Sequence, residues 1–378
     1  MRSFTVGRIW GIPIRLNTSL LIFLPVLAWL IGSGGQIELY AGFIEGFTGV
    51  GFDVPRLQAG QMPWVIGVTA AVGLFVSVTL HELGHSWVAL RYGVEIESIT
   101  LWILGGIASL KSVPREWDRE FWIAIAGPIT SVAVGAVCYV GVVVAPPSLQ
   151  VTRFVVGYLA MTNLLLAGFN LLPAFPMDGG RIFRALLARS RPYGTATRIA
   201  ARAGVAFALL FAVVGVLSFN IILLLLAFFI YGAATTESRT VLVDELLEGI
   251  TVGDIMTEEL ATVDADATLA AFGDRLLSDR QAVHLVTDGD EVLGVVALAD
   301  LRKAKGKNHG EARVRDVVRE VPRVAPDDDA FDTLVALNEA GTSTALVEAD
   351  GNLVGVLSES DYAHAMTVRR GFQGTVPA

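Results

Sequence analysis

Charge is scarce in this 378-residue chain. Asp, Glu, Lys and Arg together make up 17% of it, against about 25% in an average soluble domain. The deficit makes an ordinary cytosolic enzyme a poor description, and the 53% hydrophobic content excludes a disordered chain. Cys138 is the one cysteine, which rules out an intrachain disulfide and a cysteine-rich zinc site. The net charge of −9 leaves no basic face for nucleic acid. Histidine is rare as well, with five in the whole chain.

What charge there is divides unevenly. Residues 1–236 hold 15 Lys and Arg against 10 Asp and Glu, whereas residues 237–378 hold 13 against 27. This pattern reads as a basic membrane domain followed by an acidic soluble one. Apolar runs of the length a bilayer requires, roughly 20 residues, fall at 16–32, 63–90, 121–145, 154–173, 199–216 and 219–235. Six spans place both ends of the chain on the same side. With that side cytoplasmic, the inner segments 1–15, 91–120 and 174–198 carry twelve basic residues: Arg2, Arg8, Arg15, Arg91, Lys111, Arg115, Arg119, Arg181, Arg184, Arg189, Arg191 and Arg198. The outer segments carry only Arg56 and Arg153. This is the positive-inside distribution, and it assigns Arg184 and Arg189 mainly a topological role. Residues 33–62 read as a glycine-rich outer loop at the membrane surface. Met1–Leu16 lacks the cleavage site of a secretory signal. Residues 94–113 read as a short hairpin or sheet at the inner mouth of the bundle: Val94, Ile96, Ile99, Leu101 and Ile103 favour strand, and Gly105-Gly106 interrupts the run.

The acidic tail repeats. Val252-Gly253-Asp254-Ile255-Met256 returns 62 residues later as Val314-Arg315-Asp316-Val317-Val318. Gly294-Val295-Val296 returns after 61 residues as Gly355-Val356-Leu357. A near-constant period argues for duplication of one α/β unit. The expected division is a membrane domain at 1–236, a linker at 237–249, and two repeats at 250–312 and 313–378.

Two of the five histidines form His81-Glu82-Leu83-Gly84-His85. On a helix, positions i and i+4 share a face, so both imidazoles can reach one ion, while Glu82 can reach a water on that ion. Zinc accepts neutral imidazole and acidifies its water to a pKa near 7. The motif lies within an apolar run, where unpartnered polar groups cost several kcal/mol. A polar patch at a helix–helix contact is the competing reading. Two histidines leave zinc short of a protein ligand. Asp178 offers one, in Asn170-Leu171-Leu172-Pro173-Ala174-Phe175-Pro176-Met177-Asp178-Gly179-Gly180-Arg181. The two prolines break the helix there, and irregular backbone at membrane depth lines a cavity or is buried in protein. Asp178 could instead cap the next helix or pair with Arg181. Asn163 is expected to hydrogen-bond between helices, Cys138 to be a small core residue, and Trp64 and Trp122 to anchor span ends.

HExxH in one span followed by NxxPxxPxDGGR resembles the site-2 protease family of intramembrane zinc metalloproteases, over roughly residues 1–236. The resemblance implies one catalytic zinc held by His81, His85 and Asp178, Glu82 as catalytic acid/base, and a membrane-anchored protein substrate cut within or near its transmembrane segment. Met177 stands where the family often has Leu. Asn170 is implied to shape the active site by polarising the substrate carbonyl, or else caps backbone beside Pro173. Gly105 and Gly106 resemble the family's glycine pair, which would let a substrate strand pair with an edge, or else make a simple turn.

The tail resembles a pair of cystathionine-β-synthase (CBS) motifs over about 250–370. Such modules often bind ATP, AMP or another adenosine ligand through a Ser/Thr-x-x-Asp pattern. Ser358 and Asp361 match it, whereas Ala297 replaces the hydroxyl before Asp300, so one ligand site is implied at most. A homodimer through this module, or an interaction domain without a ligand, is the other implication. His284, His309 and His364 have no motif spacing and are expected at ordinary polar positions. The expected fold is thus a multi-pass α-helical membrane protein with six spans and a small membrane-associated β segment, plus a C-terminal α/β CBS-pair module. It is placed in the cell membrane with the N-terminus and tail cytoplasmic. A CBS-regulated transporter or channel predicts path charges repeated in symmetric halves, and none is visible. A catalytically inactive scaffold would have no need of Glu82.

Overall fold

The computed structural model describes residues 3–103, 105–110, 114–258, 261–278, 283–289, 291–303 and 312–373. Arg2, Lys111 and His309 lie outside the described residues. The chain divides into two compact units, Met1–Arg239 and Thr240–Ala378.

The first unit opens with a hairpin, β1 (Ser3–Ile9) and β2 (Ile12–Asn17), turned by Trp10 and Gly11 in left-handed conformation. Asn17 then caps helix α1 (Thr18–Gly32) by accepting from the Ser19 amide. Helices α2 (Gly34–Thr48), α3 (Val54–Leu57) and α4 (Met62–Arg91) follow. Strands β3 (Ile96–Trp102) and β4 (Gly105–Leu110) lead to α5 (Trp117–Val144), α6 (Gln150–Asn170), α7 (Asp178–Ala188), α8 (Tyr193–Leu217) and α9 (Ile221–Leu247). Five of these helices, α4, α5, α6, α8 and α9, are long and apolar enough to cross a membrane, and α1 with α2 as a bent pair gives a sixth.

Two expectations change here. Residues 34–48 are helix rather than surface loop. Ile37, Ala41 and Ile44 recur at helical spacing and are all buried, so packing overrides the glycines that punctuate the segment. The β segment is also larger than a local hairpin. It is a four-stranded sheet in the order β1-β2-β3-β4, closed by parallel pairing of Ile14 with Ile99. The sequence did not reveal that the N-terminal hairpin belongs to this sheet, because the strand that β2 pairs with lies some 85 residues away (Ile14 to Ile99).

Small residues bring the helices together, as expected where lipid supplies no hydrophobic drive between them. A Cβ on Gly67 would lie 2.0 Å from the Ala28 carbonyl oxygen, so α1 and α4 touch backbone to backbone. Gly84 likewise lets α4 approach α5, where a Cβ would sit 2.2 Å from Thr130 Oγ1 and 3.0 Å from the Ala126 carbonyl oxygen. Large apolar side chains such as Leu209, Ile222 and Phe228 are exposed on the outside of the bundle, the pattern of a surface facing hydrocarbon.

The second unit contains two copies of one motif. In the first, α10 (Val252–Ile255) precedes β5 (Thr262–Asp264), α11 (Leu269–Ser278), β6 (Val283–Asp288), β7 (Glu291–Ala297) and α12 (Leu298–Lys303). In the second, a 3₁₀ turn at Val314–Asp316 precedes β8 (Arg323–Val324), α13 (Ala330–Glu339), β9 (Ala345–Ala349), β10 (Asn352–Leu357) and α14 (Glu359–Gln373). Each copy makes a three-stranded sheet with one parallel and one antiparallel pairing. The copies are cross-linked reciprocally: Thr257 bridges to Val356 and Arg319 to Val295. Leu285, Val295, Leu346 and Val356 pack between the sheets. One copy alone would leave these side chains in water. The stretch expected to be a linker, 237–249, is helical through Leu247, and Leu246 and Leu247 are fully buried.

Candidate metal centre in the membrane unit

His81 and His85 lie one turn apart on α4 and are both buried. Asp178 opens α7, just after the proline-broken turn that contains a cis Phe175–Pro176 bond. Gly179 and Gly180 let this turn fold tightly, since a Cβ on Gly179 would sit 2.3 Å from the Leu172 carbonyl oxygen. The three side chains converge. Asp178 Oδ2 is 3.1 Å from His81 Nε2 and 3.2 Å from His85 Nε2, and the two Nε2 atoms are 3.1 Å apart. Ligands about 2.0–2.1 Å from one tetrahedral ion would be spaced by about 3.3 Å. The donor set therefore fits one zinc ion, and it is the one metal-capable cluster of its kind among the described residues.

Helix α5 orients this group. His81 Nδ1 lies 2.9 Å from Ser131 Oγ, and His85 Nδ1 donates to the Ile123 carbonyl at 2.7 Å. Such partners fix the ring and turn its other nitrogen inward. Between them Gly127 leaves the space open: a Cβ there would lie 2.2 Å from His85 Nε2 and 2.6 Å from His81 Nε2. Glu120, Ile123, Gly127 and Ser131 occupy positions i, i+3, i+7 and i+11, one face of the helix. None of these was singled out from sequence. The available signal was a polar or small residue at helical spacing inside an apolar span.

Glu82 lines a cavity of about 780 Å³ together with both histidines, Asp178, Asn170 and Gly106. A Cβ on Gly106 would lie 2.4 Å from Glu82 Cγ, so strand β4 passes against that side chain. β4 is the end strand of its sheet among the described residues. Asn170 faces the cavity, and its amide donates to the Leu166 carbonyl at 3.0 Å. Asn163 donates to Ser77 Oγ at 2.9 Å, an α6–α4 bond of the kind expected.

Arg184 corrects a sequence expectation. It is 2% exposed, not a surface topology charge. Its Nε donates to Glu120 Oε1 at 2.8 Å, its Nη1 reaches Glu237 on α9, and Phe175 and Tyr193 flank the guanidinium. The apolar neighbours of this arginine left no mark on local sequence pattern, and both its carboxylate partners lie more than 50 residues away. Arg189 rests over the Trp117 ring.

In the second unit, Asp361 accepts from the Ser358 amide and hydroxyl, each at 2.7 Å, and from Thr257 Oγ1 at 2.8 Å. At the equivalent place in the first repeat, Asp300 accepts from the Ala297 amide and from Arg319 Nε, both at 2.9 Å. His284 is fully buried against Phe272 rather than at an ordinary polar position; His364 is exposed.

An apolar helical bundle with a His–Glu–His helix and an aspartate-bearing turn meeting inside it, followed by paired α/β repeats, defines the class of intramembrane metallopeptidases with a duplicated α/β tail. The model of Peptidase family M50 matches residues 69–149 and 148–211, and that of the CBS domain matches 252–307 and 314–367. A zinc metalloprotease of Methanocaldococcus jannaschii is 35% identical over 97% of this chain and 96% of its own length. Rip3 of Mycobacterium tuberculosis is 32% identical over 97% of this chain and 94% of its own. A solved structure described as the site-2 protease from Methanocaldococcus jannaschii is 36% identical, covers 63% of this chain and 96% of that one, and superposes with a TM-score of 0.43. This chain belongs to Peptidase family M50, the site-2 proteases, and carries a CBS-domain pair.

Proposed function

We propose that this zinc metalloprotease cuts membrane-anchored proteins within or near their transmembrane segments, with His81, His85 and Asp178 holding the zinc and Glu82 as catalytic acid/base. The observation that carries the reading is the meeting of two imidazoles and a carboxylate within 3.2 Å, on segments almost 100 residues apart. Bound there, zinc supplies a Lewis acid that polarises water and a peptide carbonyl. The chain's own groups do the rest. Ser131 and the Ile123 carbonyl hold the two Nδ1 atoms and turn both Nε2 atoms inward, the orientation a metal ligand needs. Glu82 takes a proton from the attacking water and returns it to the leaving amine nitrogen. The open edge of β4, with Gly105 and Gly106, would receive an unwound substrate segment as an added strand beside Glu82. Asn170 would then meet the scissile carbonyl from the cavity wall.

The same reading places the N-terminus and the tail in the cytoplasm, supported by the basic inner segments. It divides the chain at 1–236, 237–249, 250–312 and 313–378. It also gives the tail one adenine-nucleotide site, at Ser358 and Asp361, and a role in homodimer formation. The asymmetry between the repeats supports a single site: Asp300 already holds Arg319, whereas Asp361 holds only small hydroxyl and amide donors. Titration of the whole chain with ATP and with AMP, for the native form and Asp361→Ala, tests this part.

The protease reading is tested by reconstituting the chain with a single-span protein and comparing the native form, Glu82→Gln, and protein stripped with a zinc chelator. Cleavage is expected only from the first and should return on adding zinc to the stripped sample. Undiminished cleavage by Glu82→Gln, or after complete metal removal, overturns it.

A further inference from the structure

Asp178 takes its position from α7, an 11-residue helix of which it is the first residue. Arg184 lies six residues further on, roughly 9 Å along the helix axis. Its guanidinium ties α7 to two other helices at once. One tie is buried: Glu120, on α5, is fully inaccessible. The other is not: the Glu237 side chain, on α9, is 37% exposed. A rigid planar fork suits this division, because separate N–H groups serve each carboxylate.

Glu120 shares its face of α5 with Ile123, Gly127 and Ser131, which aim and accommodate the two histidines. The helix that orients the imidazoles therefore also anchors the helix that delivers the carboxylate. Helix α9 adds a different link. It runs unbroken from Ile221 to Leu247, past Thr240, where the second unit begins.

We propose that Arg184 is a positioning residue for Asp178, and that its ion pair with Glu237 makes the metal centre responsive to the position of α9. Glu120 is the permanent half of this clasp and Glu237 the releasable half. Breaking the Glu237 half loosens α7 and shifts the Asp178 carboxylate relative to the imidazoles. A displacement imposed on the C-terminal end of α9 then reaches the zinc ligands without passing through the substrate cavity. The inference rests on His81, His85 and Asp178 being the zinc ligands.

The experiment uses the purified full chain and reads zinc affinity, by competition with a chromophoric chelator, and the visible spectrum of the cobalt-loaded protein. Glu237→Gln is expected to weaken zinc binding about three- to tenfold and to alter the cobalt bands, while thermal unfolding of the metal-free protein stays unchanged. Glu237→Asp, which keeps the charge, recovers most of the affinity. Arg184→Gln combined with Glu120→Gln removes the buried pair and leaves only the part-exposed Glu237 without its partner. It should weaken binding about 10–100-fold, the range for partners that orient metal ligands. A merely structural role would move the unfolding transition and leave the cobalt spectrum alone. If Glu237→Gln and the double variant bind zinc and cobalt as the native chain does, the clasp is wrong and the ligand assignment stands. If the native chain itself binds no zinc, both fall.

Discussion

The two units use aspartate in opposite ways. In the tail, Asp254, Asp300, Asp316, Asp328 and Asp361 each accept from a backbone amide three residues earlier in the chain. Each makes this local capping bond, to which Asp300 adds Arg319 and Asp361 adds Thr257. In the membrane unit, Asp178 meets His85 and His81 across 93 and 97 residues, and Glu120 meets Arg184 across 64. Water explains the difference. At the surface of the tail a carboxylate is never far from a donor, so short-range bonds suffice. Inside an apolar bundle an unpartnered carboxylate is prohibitively expensive, so each must be brought to a partner by the fold. A convergence of polar groups inside the bundle signals function, whereas the capping bond repeated at five tail aspartates is in the first place architecture.

The comparison can be broken most sharply at Glu82. Glu82→Gln should lower the cleavage rate about 10²–10⁴-fold, the usual share of a general acid/base, with metal content unchanged by elemental analysis. Gly127→Ala comes next. Its methyl group would occupy the space between the imidazoles, so zinc stoichiometry after purification should fall well below one, and cleavage with it. Ser131→Ala removes the partner of His81 Nδ1 and should weaken zinc binding about 10–100-fold, with cleavage restored at high zinc. The smallest effect is expected in the tail. The carboxyl of Asp254 is held below its usual range by the Thr251 amide, with further help from the Thr251 hydroxyl. A depressed carboxylate contributes stability that is present above its unfolded pKa of about 3.9 and lost as pH falls through the lower folded value. Asp254→Ala should therefore lower the tail's denaturation midpoint slightly at pH 7 and by progressively less as the pH is brought down through the carboxyl's folded-state titration, with cleavage at pH 7 unaffected. A large loss of activity from Asp254→Ala would erase the distinction between the units.

Much of the site was legible from residue order. HExxH offers two candidate ligands and a base because a helix places i and i+4 together, and the segment Pro173–Gly180, with two prolines and Asp178, reads as a broken helix carrying a carboxylate. The duplication in the tail was equally plain, because its period is nearly constant. What escaped was everything whose partner is distant. Helix α5 contributes Ser131, the Ile123 carbonyl and Gly127, and these are unremarkable letters in an apolar run. Arg184 reads as one more inner basic charge until Glu120 and Glu237 are seen around it. Strands β1 and β2 form a hairpin that joins the sheet only through the pairing of β2 with β3.

Sequence alone determined the chemistry available to this protein, the apolar spans that carry it, and the repeated tail, because each follows from spacing along one element. Only the tertiary structure decided that Asp178 meets the histidine pair, that one face of α5 orients both imidazoles, and that a buried arginine joins that helix to the one bearing Asp178. These depend on which helices touch, and contact between helices is set by small residues and polar partners scattered across the chain rather than by any local period.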